Sequence, residues 1–353
     1  MLGVMLAACG GSDDEESSNE NGTDGGSNEG ATDISEIEEQ EWLFVTEEYE
    51  GEVQYEYARE FADRIAEKSD GKIEVIPYEF GTLGSETDQV TQLQNGTVQL
   101  AIMSPGFTGN MVAEGQIFAL QFLFPDDLEK TQEILNTSEA LNVDLRDRYE
   151  EYNISPLAYW TEGFTQWTSN NGIREPADFE NMNMRVQTSP LIMESYEAYG
   201  ANPQDMSWGE LYTALETGVV DGQENPIFFI YSASFHEVQE TMTLSNHNSY
   251  VAMTTVNTDW YNSLDPIVKE MVDETVEEMR DWIFAEQDRL NSENLEAIKN
   301  DTSNPTEIIE LTEEQRNAFR ELAIPVRDYY RENVSTVDGE ILDKLIEEIE
   351  AAQ

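Results

Sequence analysis

Cysteine occurs once in this chain, at Cys9, so the sequence can build neither an internal disulfide nor a thiolate metal site. Histidine is almost as scarce. His236 and His247 stand alone with no cysteine or further histidine near them, so no zinc or iron site is expected, and nothing in the sequence calls for another cofactor. Positive charge is also in short supply. Eighteen Lys and Arg face 74 Asp and Glu, a net charge of -56 that repels nucleic acid and anionic lipid and makes polyanionic ligands unsuitable partners. Such a surface suits high salt, because at molar ionic strength the Debye length falls to roughly 3 Å and self-repulsion is screened. A halophilic source is expected, with a fold that loosens on desalting. After the first residues there is no run of 18 apolar residues to span a bilayer. Also missing are a G-x-S-x-G elbow, a P-loop and a nucleotide-binding glycine fingerprint at a strand-to-helix junction. Carboxylate pairs are too common here to mark a glycosidase, and Glu48 alone does not supply the pair a hydrolase needs. The sequence points away from an enzyme.

What is present is enough apolar material for two compact domains: 353 residues, 39% hydrophobic and 10% aromatic. The opening "MLGVMLAACGG" is a short apolar run that resembles a bacterial lipobox, with Cys9 as the residue lipidated after cleavage. No Lys or Arg precedes Arg59 and the apolar stretch is too short for an export leader, so the leader is expected to begin upstream of Met1. Residues 10–41 are rich in Gly, Ser, Asn and acid and read as a flexible tether. Residues 1–9 as the remnant of a lipoprotein signal, then a tether and a folded body, describe an exported protein. It would be held by lipid at the outer face of the cytoplasmic membrane, or lie in the periplasm.

The folded body opens with the strand Trp42-Leu43-Phe44-Val45. A helix follows with Val53, Tyr57, Phe61 and Ile65 on one face, and then the strand "KIEVIPYEF". Ser85 and Asp88 suggest a capping box, and "TVQLAIMS" a buried strand. "ISPLAYW" and "MNMRVQ" read as strands, "PLIMESYEAYG" and "SWGELYTALETG" as helices, the latter with Ser207 as N-cap and Glu210 as its capping-box partner. This alternation predicts α/β layers around a mostly parallel sheet. From Pro266 a long helix is expected, with Ile267, Met271, Val272, Val276, Met279 and Ile283 on one face, running across both lobes. Pro325 interrupts the next helix, and "EILDKLIEEIEAAQ" closes the chain as an amphipathic one.

Two stretches carry chemistry. In "MNMRVQ" the period of two places Met182, Met184 and Val186 on one face and Asn183, Arg185 and Gln187 on the other. An arginine near the end of such a strand can offer its planar fork to a carboxylate; the alternative is a surface arginine paired with one of many acids. In "GVVDGQENPIFFI" an acidic-polar knot abuts Phe228 and Phe229, with Asp221-Gly222 read as turn chemistry and Pro226 as a backbone restraint. Phe107, Trp208, Phe228 and Phe229 suit an ordinary core, yet Phe107 and Trp208 stand where loops meet element ends, and there α/β proteins form clefts.

The run from "MNMRVQTSPLIMESYEAYG" through "SWGELYTALETGVVDGQENPIFFIYSASFHEVQ" resembles the signature region of the solute receptors of tripartite ATP-independent periplasmic (TRAP) transporters. The resemblance covers roughly Trp42 to Ser335. It implies an α/β fold of two lobes, type II-like, with mixed sheets flanked by helices and a long lobe-spanning helix. Lobe I would comprise 42–162 plus 251–290, and lobe II 163–250 plus 291–353. It implies a monomeric receptor that closes on a small ligand and delivers it to an ion-gradient-driven permease. "EEYEGEVQ", "QNGTVQLAIMSPGFTG", "SWGELYTALETG" and "DGQENPIFFI" are most similar to receptors for ectoine and 5-hydroxyectoine. That likeness places the ligand carboxylate on Arg185 and Asn225 and its cationic amidine on Glu48, with Phe107, Trp208 and Phe229 around the ring. Thr165 stands where many acid-binding members carry a second arginine, which disfavours a dicarboxylate. A TRAP receptor for another organic acid, a C4-dicarboxylate or other monocarboxylate, is the alternative. An acidic surface lipoprotein with a structural role would explain the tether and charge but not the Arg185-to-Asn225 constellation.

Overall fold

The computed structural model describes residue 34, residues 37–337 and residues 339–352. Cys9 and most of the tether lie outside the described residues. Among the described residues, eleven strands form two sheets. The first contains β1 (Gln40–Val45), β2 (Ile73–Tyr78), β3 (Leu100–Met103), β4 (Ile154–Phe164) and β10 (Ser249–Asn257), in the order β2-β1-β3-β10-β4. The second contains β5 (Gln166–Ser169), β6 (Asn183–Val186), β7 (Asn202–Asp205), β8 (Gly222–Asn225), β9 (Thr241–Leu244) and β11 (Glu307–Glu310), in the order β11-β9-β5-β8-β6-β7. Each sheet with its helices forms one lobe of a two-lobed α/β fold.

The expectation of a mostly parallel sheet is corrected here. β10 runs antiparallel to both β3 and β4, and β5 antiparallel to both β8 and β9, so both sheets are mixed. The physical reason is the chain path. β4 enters β5 with Thr165 alone between them, and residues 245–248 carry β9 back into β10, so each crossing returns a strand against its neighbour. The two crossings lie side by side, with the Thr165 amide donating to the Asn248 carbonyl at 2.9 Å. A third link is the 35-residue helix Pro266–Asn300. Its early apolar face, Met271, Val272, Val276, Met279 and Ile283, packs into the core of the first lobe, and Ile298 near its far end packs with Leu211 and Leu215 of the second. In the first core, Tyr57 from the helix Val53–Lys68 stacks on Trp160 of β4 at 5.2 Å between centroids.

Two local expectations fail in an instructive way. Ser207 is the N-cap of the helix Trp208–Glu216, but its side chain caps nothing in that helix and no box with Glu210 forms; its hydroxyl is engaged by Glu86 of the other lobe. Asp221-Gly222 is not a turn. Gly222 opens β8, a strand in the interior of the second sheet, and the Asp221 carboxylate accepts the Asn183 amide at 2.8 Å as if continuing the ladder. Glycine is needed for close approach, since a Cβ at Gly222 would lie 2.5 Å from the Thr168 carbonyl oxygen. The Ser85–Asp88 capping box forms as expected.

Candidate functional site

β6 delivers Arg185 to the cleft for the reason its alternation suggests: Met184 and Val186 are buried in the core, so the opposite face of the strand looks between the lobes. Arg185 is 2% exposed, and its Nε and one Nη donate to the Met206 carbonyl at 3.1 and 2.8 Å, which fixes the plane of the guanidinium. Burial presses its pKa down, while Tyr250, Glu86 and Glu224 act in the opposite direction. β8 supplies Asn225, whose amide is steadied by Gln223. The following helix, Ile227–Ser232, supplies Phe229. Trp208 meets Phe229 at 4.8 Å between centroids and Phe229 meets Tyr250 at 6.0 Å, making a continuous aromatic wall.

These side chains line one cavity. Phe107, Arg185, Trp208, Asn225 and Phe229, five of the six ligand residues expected from sequence, surround it together with Glu47, Glu86, Gln187 and Tyr250. Glu48, the sixth, is fully buried and does not line this cavity; its neighbour Glu47 does. An adjoining cavity shares Arg185, Gln187, Asn225 and Tyr250 and extends to Thr165, Glu224 and Asn248. Gln187 bridges the lobes, donating to the Tyr250 hydroxyl at 2.8 Å; Gly106 leaves room for it, because a Cβ there would lie 1.9 Å from the Gln187 Oε1.

The electrostatics are lopsided. Glu47, Glu48 and Glu162 are buried within the first lobe, and each leaves one carboxyl oxygen without a hydrogen-bond partner: Glu47 Oε1, Glu48 Oε1 and Glu162 Oε2. Their other oxygens accept from the Ser104 amide, the Gln54 amide and the Gln54 side chain at 3.0, 2.6 and 2.8 Å. Burial holds Glu47 and Glu48 well above the ordinary carboxylate range, helped by the charges of Glu86 and Glu162 at Glu47 and of Glu162 and Glu52 at Glu48, and burial with the charge of Glu52 pushes Glu162 up to about 8. Tyr250, on the cavity wall, is likewise raised, by burial first and then by Glu162, Glu47 and Glu48. Buried carboxyls that lack partners cost several kcal/mol unless a proton or a cation answers them.

At the far end Thr165 hydrogen-bonds the His247 ring at 3.2 Å. His247 Nε2 lies 2.6 Å from a Glu224 oxygen that also accepts from the Tyr196 hydroxyl, and burial lowers the His247 pKa. A neutral imidazole donating to Glu224 adds no second cation beside Thr165.

Sequence reasoning missed Glu47, Glu86, Glu162, Gln187 and Tyr250. For Glu162 a signal existed: it is a lone acid at the end of the apolar strand "ISPLAYWTEGF", an unusual place for an unpartnered carboxylate. Gln187 lay on the Arg185 face of "MNMRVQ" and could have been nominated with it. Glu86 and Tyr250 carried no local mark.

Two mixed-sheet lobes joined by adjacent crossings, with a polar and aromatic cavity between them, define a cleft-type binding protein. The chain belongs to the bacterial extracellular solute-binding protein family 7, whose pattern matches residues 44–333. It is 35% identical over 312 residues to the ectoine-binding periplasmic protein TeaA of Halomonas elongata, an alignment covering 88% of this chain and 91% of that one. It is 31% identical over 293 residues to the C4-dicarboxylate-binding protein DctB of Bacillus subtilis, covering 82% and 81%. Among solved structures it is similar to the periplasmic ectoine-binding protein of the TeaABC TRAP transporter of Halomonas elongata, with a TM-score of 0.85, 35% identity, and 88% and 99% of the two chains covered. The chain is thus a TRAP solute receptor, a class that binds small molecules and works with membrane permease subunits.

Proposed function

We propose that this receptor binds ectoine or 5-hydroxyectoine, a small zwitterion with one carboxylate and one delocalised cation. The observation that carries the reading is the imbalance of buried charge around one cavity: among the described residues that line it, Arg185 of the second lobe is the one cation and shares the wall with Glu47 and Glu86 of the first, and Glu47, Glu48 and Glu162, buried in that lobe, each keep an unpartnered oxygen. A zwitterion laid between them answers both sides. Its carboxylate meets Arg185 and Asn225, and its amidinium meets the acidic side at Glu48, with Glu47 and Glu162 completing the negative field. Phe107, Trp208 and Phe229 offer their faces to the delocalised cation, each contributing about 0.5–2 kcal/mol when desolvated.

In this reading the lobes, divided as 42–162 plus 251–290 and 163–250 plus 291–353, rotate about the paired crossings at Thr165 and 245–248. Ligand favours the closed form because only there do both of its charged ends find partners. The closed monomer delivers ligand to an ion-gradient-driven permease. Lipid on Cys9 holds the exported receptor at the outer face of the membrane, and a halophilic cell would use such a solute.

The likeness to DctB supports a second reading, a C4-dicarboxylate ligand. Against it stands Thr165, whose neighbour His247 is committed to Glu224, so the cavity offers a second carboxylate no cation. The test is a thermal-shift panel with native mass spectrometry of the purified receptor. Stabilisation by ectoine and a retained mass of that class support the zwitterion, whereas stabilisation by succinate alone transfers the assignment to the dicarboxylates.

A further inference from the structure

We propose that Glu86 is a latch that couples lobe closure to the seating of Trp208. Glu86 opens the helix Glu86–Gln94 of the first lobe and is 2% exposed. It reaches across the cleft to the first turn of the helix Trp208–Glu216 in the second lobe. Glu86 Oε1 accepts the Trp208 amide at 3.1 Å, and Oε2 accepts the Ser207 hydroxyl at 3.1 Å. A carboxylate here satisfies an amide that the helix itself leaves unpaired, at the end where negative charge is favoured.

The sequence carries a local cap signal at the same helix end. Ser207 and Glu210 have the spacing of a capping box within one helix, yet in this structure the box is not formed and the Ser207 hydroxyl is turned to Glu86. The Ser207 hydroxyl donates to Glu86, and the Glu210 amide that a capping box would use is taken by the Ser207 carbonyl at 3.2 Å. With the lobes apart, Glu86 is out of reach and both of its bonds to this helix end are lost. A second bond of the same kind lies nearby: the Ser232 hydroxyl of the second lobe donates to Glu52 Oε1 at 2.5 Å.

Glu86 is therefore a positioning residue. It holds the first turn of the helix that carries Trp208, and Trp208 leans on Phe229 at 4.8 Å over the cavity. The inference rests on the receptor closing over a small ligand and not on that ligand being ectoine.

The test is a double-mutant cycle on Glu86 and Ser207, read by stopped-flow tryptophan fluorescence with ectoine as probe. Glu86→Ala is expected to raise the dissociation rate about 10- to 100-fold, the range for losing a charge-assisted hydrogen bond, with association changed less than about threefold. Glu86→Gln keeps an acceptor and should recover part of the loss. Ser207→Ala alone should speed dissociation by a smaller factor, and the double variant should be no worse than Glu86→Ala. If Glu86 instead acts by touching ligand, Ser207→Ala leaves dissociation unchanged or the two effects multiply, and the latch is overturned. Should ectoine give no binding heat with the wild type, the ectoine proposal fails while the latch stays testable. The cycle is then read in the ligand-free protein as the spin-label distance between Thr87→Cys and Thr213→Cys in a Cys9→Ser background. Glu86→Ala and Ser207→Ala must each shift that distribution toward wider separation, and together no further than Glu86→Ala alone; no shift, or additive shifts, overturns the latch.

Discussion

Glu48 and Glu162 are held by the same residue: the Gln54 backbone amide donates to Glu48 Oε2 at 2.6 Å and its side-chain amide donates to Glu162 Oε1 at 2.8 Å. Each keeps its other oxygen unpartnered, and Glu162 is pushed up to about 8 from 4.5, by burial first. A proton bound to either carboxyl lowers the buried negative charge that both carry. A raised carboxyl pKa means that folding takes up a proton, so the associated stability is complete below about 4.5 and is lost as pH rises toward about 8. Glu162→Gln removes that dependence. The thermal midpoints of wild type and variant, compared at fixed molar salt, should coincide near pH 5 and separate in favour of the variant by pH 8. Parallel curves would show that Glu162 does not titrate in this window.

The same proton links to ligand. An amidinium favours ionised carboxylates, so binding of ectoine should release protons and tighten from about pH 5.5 to about 8. Calorimetry in two buffers of different ionisation enthalpy measures the release directly. Equal heats in both buffers at pH 6 would contradict the coupling.

Arg185 is the only cation expected to meet the ligand carboxylate, and its fork is held by the Met206 carbonyl. Arg185→Ala should cost about 2–5 kcal/mol of ligand binding, seen mainly in dissociation. Arg185→Lys should recover only part of that, since a point charge cannot make two parallel bonds. Full affinity in Arg185→Ala would remove the carboxylate site from this cavity.

Gly222→Ala tests the fold beneath the site. The new Cβ would stand 2.5 Å from the Thr168 carbonyl oxygen, which as backbone cannot swing away, so β5 and β8 must separate. A loss of about 1–3 kcal/mol in denaturant unfolding is expected. Fold and charge are separate questions: with a net charge of -56, the thermal midpoint should also rise steadily from dilute buffer to molar salt, and a flat profile would count against a halophilic design.

The sequence made most of the scaffold legible where an apolar period was present. Alternation in "MNMRVQ" set Arg185 on the cleft face, and the spacing from Ile267 to Ile283 marked the long helix. β8 was hidden because its residues, Gly222 to Asn225, carry no apolar side chain on either face, so a central strand looked like a turn. Ser207 and Glu210 satisfied a local rule, yet the box does not form and the Ser207 hydroxyl donates to a carboxylate 121 residues away. Tyr250 becomes a cavity residue only through the return of β10 into the first sheet, which no local pattern reports. The ligand residues nominated from sequence came from family likeness; the acidic surround, Glu47, Glu86 and Glu162, needed the folded chain.

The central claim is that the cleft is built for one anion and one cation on the same small molecule. Titration calorimetry of the wild-type receptor at pH 8 in molar salt, with ectoine and succinate in parallel, tests it most directly. The account predicts a saturable exotherm or endotherm for ectoine that is lost in Glu48→Gln as well as in Arg185→Ala, and no saturable heat for succinate. Saturable succinate binding with none for ectoine would contradict it.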